Sequence, residues 1–156
     1  MTTAIQLAGP EHLDAIRRLF REYQQSLGVD LCFQSFEEEL AGLPGRYSTP
    51  GGALWIALDA HDAIGCVALR EIAAGVGEMK RLYVMPSHRG RGLGRQLAVT
   101  VIDMARNRGH SRLRLDTLES LREAAALYAS LGFVRIPAYY ENPLPGVQYW
   151  ELILAK

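Results

Sequence analysis

The chain is predicted to fold as an α/β protein of the α+β kind, with a mixed, mostly antiparallel central sheet of six to seven strands flanked by about four helices. Three observations carry that expectation. Seven short extended patterns are interleaved with four stretches of helical period. The extended runs 53–58 and 64–71 are joined by the short turn Asp59-Ala60-His61-Asp62, which predicts an antiparallel hairpin. Further on, an extended run at 78–84, a helical run stopping at Gly109 and an extended run at 112–118 follow one another. Strand, helix, strand implies a crossover and parallel pairing.

Taken in order, residues 2–7 alternate enough for a short strand, which Gly9-Pro10 breaks. Leu13, Ile16, Leu19, Phe20, Tyr23 and Leu27 then recur at helical spacing, and Gly28 is placed to end that helix. After a loop at 29–34, Ser35 with Glu38 has the pattern of a capping box for a short second helix reaching Leu40. Glu37, Glu38 and Glu39 read as its solvated first turn, favoured by the helix dipole, and not as metal ligands. A turn-rich connector at 44–52 leads into the hairpin. Gly75 and Gly77 precede the strand 78–84, and Pro86, which has no N–H to give a ladder, ends it. Leu97, Val101, Ile102 and Ala105 mark the inner face of the third helix. In 112–118 charged residues alternate with Leu113, Leu115 and Thr117. Ser120 with Glu123 repeats the capping-box pattern, Ala124, Leu127, Tyr128 and Leu131 mark the fourth helix, and Gly132 closes it before 133–136 resumes an extended pattern. A loop rich in Tyr, Asn and Pro at 139–146 precedes a last strand at 147–154.

At 156 residues, the chain reads as one domain, 1–156, large enough for a core without disulfides or metal. Its formal charge balances to zero and its pI is near 6.9, which argues against a general nucleic-acid or membrane-surface binder. Cys32 and Cys66 are too few and too far apart for a metal site, and Cys66, in an apolar run, reads as a buried free thiol. No basic-then-apolar leader pattern is present, and no apolar run approaches the roughly 18 residues of a membrane span, so a soluble, cytoplasmic protein is expected.

The chemistry gathers where extended chain gives way to helix, at Arg89-Gly90-Arg91-Gly92-Leu93-Gly94-Arg95. A helix start directs free N–H groups and the positive end of its dipole outward, glycines allow close approach of backbone to oxygen, and arginines add charge-assisted hydrogen bonds. These residues together form a candidate pyrophosphate site. A P-loop would require Gly-Lys-Ser/Thr to hold Mg²⁺, and a dinucleotide fingerprint would open a βαβ unit near the chain start; neither pattern fits. In its setting the loop resembles the Arg/Gln-x-x-Gly-x-Gly/Ala motif of the GNAT family of N-acetyltransferases, with Arg89, Gly92 and Gly94 at the defined positions. A second stretch, Ala124-Ala125-Ala126-Leu127-Tyr128-Ala129-Ser130-Leu131-Gly132-Phe133, is similar to that family's late Ala-x-x-Leu-Tyr-x-x-x-Gly-Phe motif. The order of elements matches as well.

The resemblance implies a GNAT fold and transfer of the acetyl group of acetyl-CoA to a primary amine of a small molecule or peptide, directly and without metal. It implies that Leu82, Tyr83 and Val84 turn backbone N–H groups toward the pantetheine arm and thioester, and that Arg89 to Arg95 hold the pyrophosphate. It makes Tyr128 the general acid: a phenol is protonated at neutral pH and can protonate a leaving thiolate. Glu78, eleven positions ahead of Arg89, resembles a general-base glutamate of the family; a strand-end carboxylate paired with Lys80 or Arg81 is the other reading, and both stay open. Leu121 stands where many relatives have an asparagine that touches pantetheine, and Arg122 is placed to reach a CoA phosphate. The acceptor would lie between 30–34 and the Tyr139-Tyr140-Glu141-Asn142 loop. A non-catalytic CoA or acyl-CoA sensor and a Mg²⁺-dependent nucleotide enzyme are the competing classes. Oligomeric state is not legible, and a homodimer is compatible with the sequence.

Overall fold

A computed structural model describes residues 3–28 and 35–154. The predicted acceptor loop at 30–34, with Cys32, lies outside the described residues. The strands are β1 (Thr3–Leu7), β2 (Ala53–Asp59), β3 (Asp62–Ala73), β4 (Val76–Val84), β5 (Arg112–Leu118), β6 (Val134–Ile136) and β7 (Val147–Ile153). The helices are α1 (Leu13–Leu27), α2 (Phe36–Ala41), α3 (Leu93–Asn107) and α4 (Arg122–Ser130). One seven-stranded sheet forms in the order β1-β2-β3-β4-β5-β7-β6. Only β4 and β5 pair in parallel, as the α3 crossover between them requires; every other neighbour is antiparallel.

Successive side chains of β2 and β3 point to opposite faces, so each strand feeds two cores. Trp55, Val67 and Leu69 join α3 residues Leu97, Val101 and Ile102 on one face. Ile56, Cys66 and Ala68 join Ile16, Leu19 and Phe20 of α1 and Phe36 and Leu40 of α2 on the other. Burial on both faces explains why these strands read as nearly continuous apolar runs. No helix of the described residues is long and apolar enough to cross a membrane.

Two local expectations fail. Ser35 lies in the left-handed region at φ 56° and makes no side-chain cap, whereas a capping side chain needs extended backbone. Likewise α4 starts one residue later than the Ser120 pattern predicts, with Leu121 at its N-cap and no side-chain cap. There the Glu119 N–H donates to the Gly146 carbonyl, fastening the segment to the loop before β7.

The feature that shapes the molecule is the short β4–β5 contact. Pairing holds only for Val76, Gly77 and Glu78 against Arg112, Leu113 and Arg114. Beyond Glu78 the strands part. On its other edge β4 carries a bulge against β3: Cys66 faces Tyr83 and Ala68 faces Lys80, so Arg81 and Leu82 together oppose Val67. Arg81 takes the left-handed conformation at φ 60°.

Candidate functional site

Between the parted strands lies a cavity of about 530 Å³. Met79 to Val84 of β4 form one wall and Asp116, Thr117 and Leu118 of β5 the other. Tyr23, Ser26 and Leu27 of α1 close one side, the start of α4 with Tyr128 the opposite side, and Asn142 and Leu144 contribute from the loop before β7. Because β4 and β5 have no ladder between them here, backbone polar groups on the facing edges are available to a bound molecule. Leu82, Tyr83 and Val84 all lie on this wall.

The glycine loop continues from Arg89, which lines the cavity. Arg89 Nε donates to the Val84 carbonyl at 2.8 Å, and its guanidinium sits 5.6 Å from the Tyr83 ring centroid. Gly90 and Gly92 have φ of 80° and 78°, and a Cβ at either would meet nothing within 4 Å. Gly92 is the N-cap of α3, no side chain caps the helix, and its first turn closes with Gln96 N–H to the Gly92 carbonyl. The amides of Leu93, Gly94 and Arg95 therefore have no acceptor among the described residues, as an anion-binding helix start requires. The loop's side chains divide their work. Leu93 is buried in the core beneath, Arg95 Nη2 donates to Ser130 Oγ at 2.6 Å and ties α3 to α4, and Arg91 borders a second hollow of about 60 Å³ with His88 and Gln96. His88 is engaged with Asp59 through Nε2 at 2.9 Å and with Ser87 through Nδ1 at 2.7 Å, which moors the loop to the end of β2.

Tyr128 is 6% exposed, with its ring against Phe133 and Trp150. Its hydroxyl makes no hydrogen bond among the described residues, and the residue lines the cavity. Burial pushes this phenol above its usual range, so it holds its proton firmly at neutral pH.

Glu78 is placed differently from the base reading. It is 1% exposed and is not among the residues that line the cavity. One oxygen accepts from Arg70 Nε at 2.7 Å, its cross-strand partner, and the other from the Tyr139 hydroxyl at 2.5 Å. Both oxygens are committed. Of the ion-pair partners expected from sequence, Lys80 is present, with its Nζ 3.9 Å from the carboxylate, and Arg70, which the sequence did not point to, holds it more closely at 2.7 Å.

The carboxylate that does face the cavity is Asp116. Its Oδ2 accepts from the Tyr140 hydroxyl and from Asn142 Nδ2 at 3.1 Å, and its Oδ1 lies 3.7 Å from Lys80 Nζ across the parted strands. Asp116 escaped notice because in 112–118 it looks like one more solvent-facing charge of an alternating strand. Only the missing β4 partner makes that face a cavity wall. The Tyr139 loop does reach the site, through Tyr139 on Glu78 and Tyr140 on Asp116. Arg122 and Leu121 line the cavity at the start of α4. No group of His, Cys, Asp and Glu able to hold a metal occurs among the described residues.

Comparison with known proteins agrees with this geometry. The sequence model described as the Acetyltransferase (GNAT) family matches residues 13–133. An uncharacterized N-acetyltransferase of Schizosaccharomyces pombe is 42% identical over 149 residues, spanning 94% of this chain and 91% of the relative. Among solved structures, an acetyltransferase of the GNAT family from Staphylococcus aureus superposes with a TM-score of 0.83 at 18% identity, covering 98% of this chain and 99% of that one. YncA from Salmonella typhimurium, solved with its cofactor acetyl-CoA, gives 0.76 at 20% identity over 100% and 96% of the two chains. At those identities the structures speak for the fold.

Proposed function

Since the chain belongs to the GNAT family of acetyltransferases, we propose that it moves the acetyl group of acetyl-CoA to a primary amine of a small molecule or peptide by direct transfer. The observation that carries this reading is the cavity between β4 and β5, whose lining brings together strand edges with no ladder between them, Tyr128 and Arg89, the residue from which the glycine loop runs to the uncapped start of α3. Acetyl-CoA in the structure of the Salmonella relative supports the choice of donor.

When bound, the donor supplies an activated acyl thioester; the protein's own groups do the rest. The amides of Leu93, Gly94 and Arg95, with the guanidiniums of Arg89 and Arg91, hold the pyrophosphate. Gly90 and Gly92 leave the approach clear, since any side chain there would project into it. Edge N–H groups between Leu82 and Val84 hold the pantetheine arm and polarise the thioester oxygen, which sharpens as negative charge develops there. Tyr128 delivers its proton to the departing sulfur; a buried phenol is too weak an acid to protonate the incoming amine instead. Asp116, poised by Tyr140 and Asn142, receives the amine's proton directly or through a water, and Glu78 braces the wall behind it.

A thiol-release screen with acetyl-CoA against amino acids, polyamines, aminoglycosides and peptides tests the reading and identifies the acceptor together. Tyr128→Phe should lower kcat by about 10²–10⁴-fold, the usual worth of a positioned acid, with little change in acetyl-CoA affinity. Tight acetyl-CoA binding with no thiol release to any amine would reassign the chain as a sensor.

A further inference from the structure

Seventeen residues of the chain are Lys or Arg, yet only Lys80 and the terminal Lys156 are lysine. Arginine fills every other basic position, including the ion pairs to Glu39, Glu78, Asp14 and Glu151. Lysine appears at a buried place that faces the cavity, beside the equally buried Arg81, and its side chain there is 6% exposed. An arginine would serve better for pairing, because its planar fork meets a carboxylate with two hydrogen bonds. Lys80 does not pair well. Its Nζ is 3.7 Å from Asp116 and 3.9 Å from Glu78, both beyond hydrogen-bond length, and it makes no hydrogen bond among the described residues. Burial lowers its tendency to stay protonated, only partly offset by the two carboxylates. What distinguishes lysine from arginine in such a place is that it can become a neutral amine nucleophile.

Position adds to this. Lys80 immediately precedes the Arg81–Leu82 bulge and reaches from β4 toward Asp116 of β5, across the gap where the acyl end of the donor would enter. Resting on the acetyl-transfer reading above, we propose that Lys80 is itself a modification site: without an amine acceptor, the acetyl group passes from the thioester to Lys80 Nζ. The N–C bond forms as the C–S bond breaks. The amine's second proton goes to the Asp116 carboxylate and on to solvent, the sulfur takes the Tyr128 proton, and solvent restores the phenol. The products are Nε-acetyl-lysine and free coenzyme A. An acetyl group on Nζ would fill the acceptor side of the cavity and remove the charge facing Asp116, so the modified protein is a self-limited, acceptor-starved form.

The test uses the full chain, incubated with acetyl-CoA and no amine, followed by intact mass and peptide mapping; the N-terminal amine, Lys80 and Lys156 are the competing sites. Expected are one acetyl group on Lys80, one equivalent of thiol released, at least tenfold slower labelling in Tyr128→Phe, and loss of the label in Lys80→Arg. Lys80→Gln serves as a second, acetyl-mimicking variant if Lys80→Arg does not fold, and should retain acetyl-CoA binding by calorimetry. The labelled protein should acetylate amines about 100-fold more slowly, the scale of a misplaced reactant. Label confined to Lys156 or the N-terminus, or equal labelling of Lys80 in Tyr128→Phe, overturns the proposal. If the protein binds acetyl-CoA and acetylates amines while Lys80 stays unmodified, self-acetylation alone falls; if acetyl-CoA does not bind, the transferase reading falls with it.

Discussion

Two titratable residues singled out by pattern, Tyr128 and Glu78, differ in a way that only neighbours reveal. Both are almost wholly buried. Tyr128 lines the cavity and its hydroxyl has no partner among the described residues, whereas Glu78 is closed in by Arg70 and Tyr139. Glu78→Ala would leave the Arg70 guanidinium, about one-fifth exposed, without its counter-charge, and removing one partner of a buried pair costs about 3–5 kcal/mol. Urea unfolding should show that loss, and activity should fall along with it. A normal melting profile with activity abolished would instead make Glu78 a participant in chemistry. The glycine loop and the Leu-Tyr motif were legible because glycine spacing and helix spacing are local properties. The roles of Lys80, Asp116 and Arg70 were not, since they depend on which strands meet and where that meeting stops.

Element boundaries followed the periodicity closely, with β5 matching its expected 112–118 run and α1 ending at Gly28 in the left-handed region. Both capping boxes failed: Ser35 is the N-cap but sits in the left-handed region, and Ser120 stands one residue ahead of the actual N-cap, Leu121. The β4 bulge was also invisible: nothing in Lys80-Arg81-Leu82 announces a non-glycine residue at φ 60°. Such a conformation costs on the order of 1–3 kcal/mol and persists only where its surroundings impose it. Here Glu39 of α2 grips Arg81 through Nε and Nη2, each at 3.0 Å, and the guanidinium lies 5.3 Å from the Phe36 ring centroid. The acidic turn of α2, read from sequence as solvent-facing, thus includes one residue that pins the bulge. Glu39→Ala should cost about 3–5 kcal/mol by removing the carboxylate that pairs with a buried guanidinium, and it should raise the KM for acetyl-CoA by loosening the Leu82–Val84 edge. An unchanged KM in a folded Glu39→Ala protein would disconnect α2 from the donor wall.

Across the whole molecule, all seven tyrosines have phenols pushed above their ordinary range, burial being the leading cause for each. A group whose folded pKa is raised stabilises the fold fully below its unfolded pKa and loses that contribution as pH climbs through the folded value. For Tyr23, pushed up to about 12, the window opens near 10, the reference value for a phenol. Alkaline titration should therefore produce tyrosinate absorbance in one cooperative step with unfolding above about pH 10; gradual ionisation in a folded protein would contradict it. The sheet itself resembles two plates riveted at one corner, β1 to β4 on one and β5, β7 and β6 on the other, with three residue pairs as the rivet. A donor slid into the open seam would act as a splint, supplying rungs the polypeptide leaves out. Saturation at 100 times Kd should add about 2.7 kcal/mol of stability, and amide exchange should slow most along both lips of the seam, β4 from Met79 and β5 from Leu115.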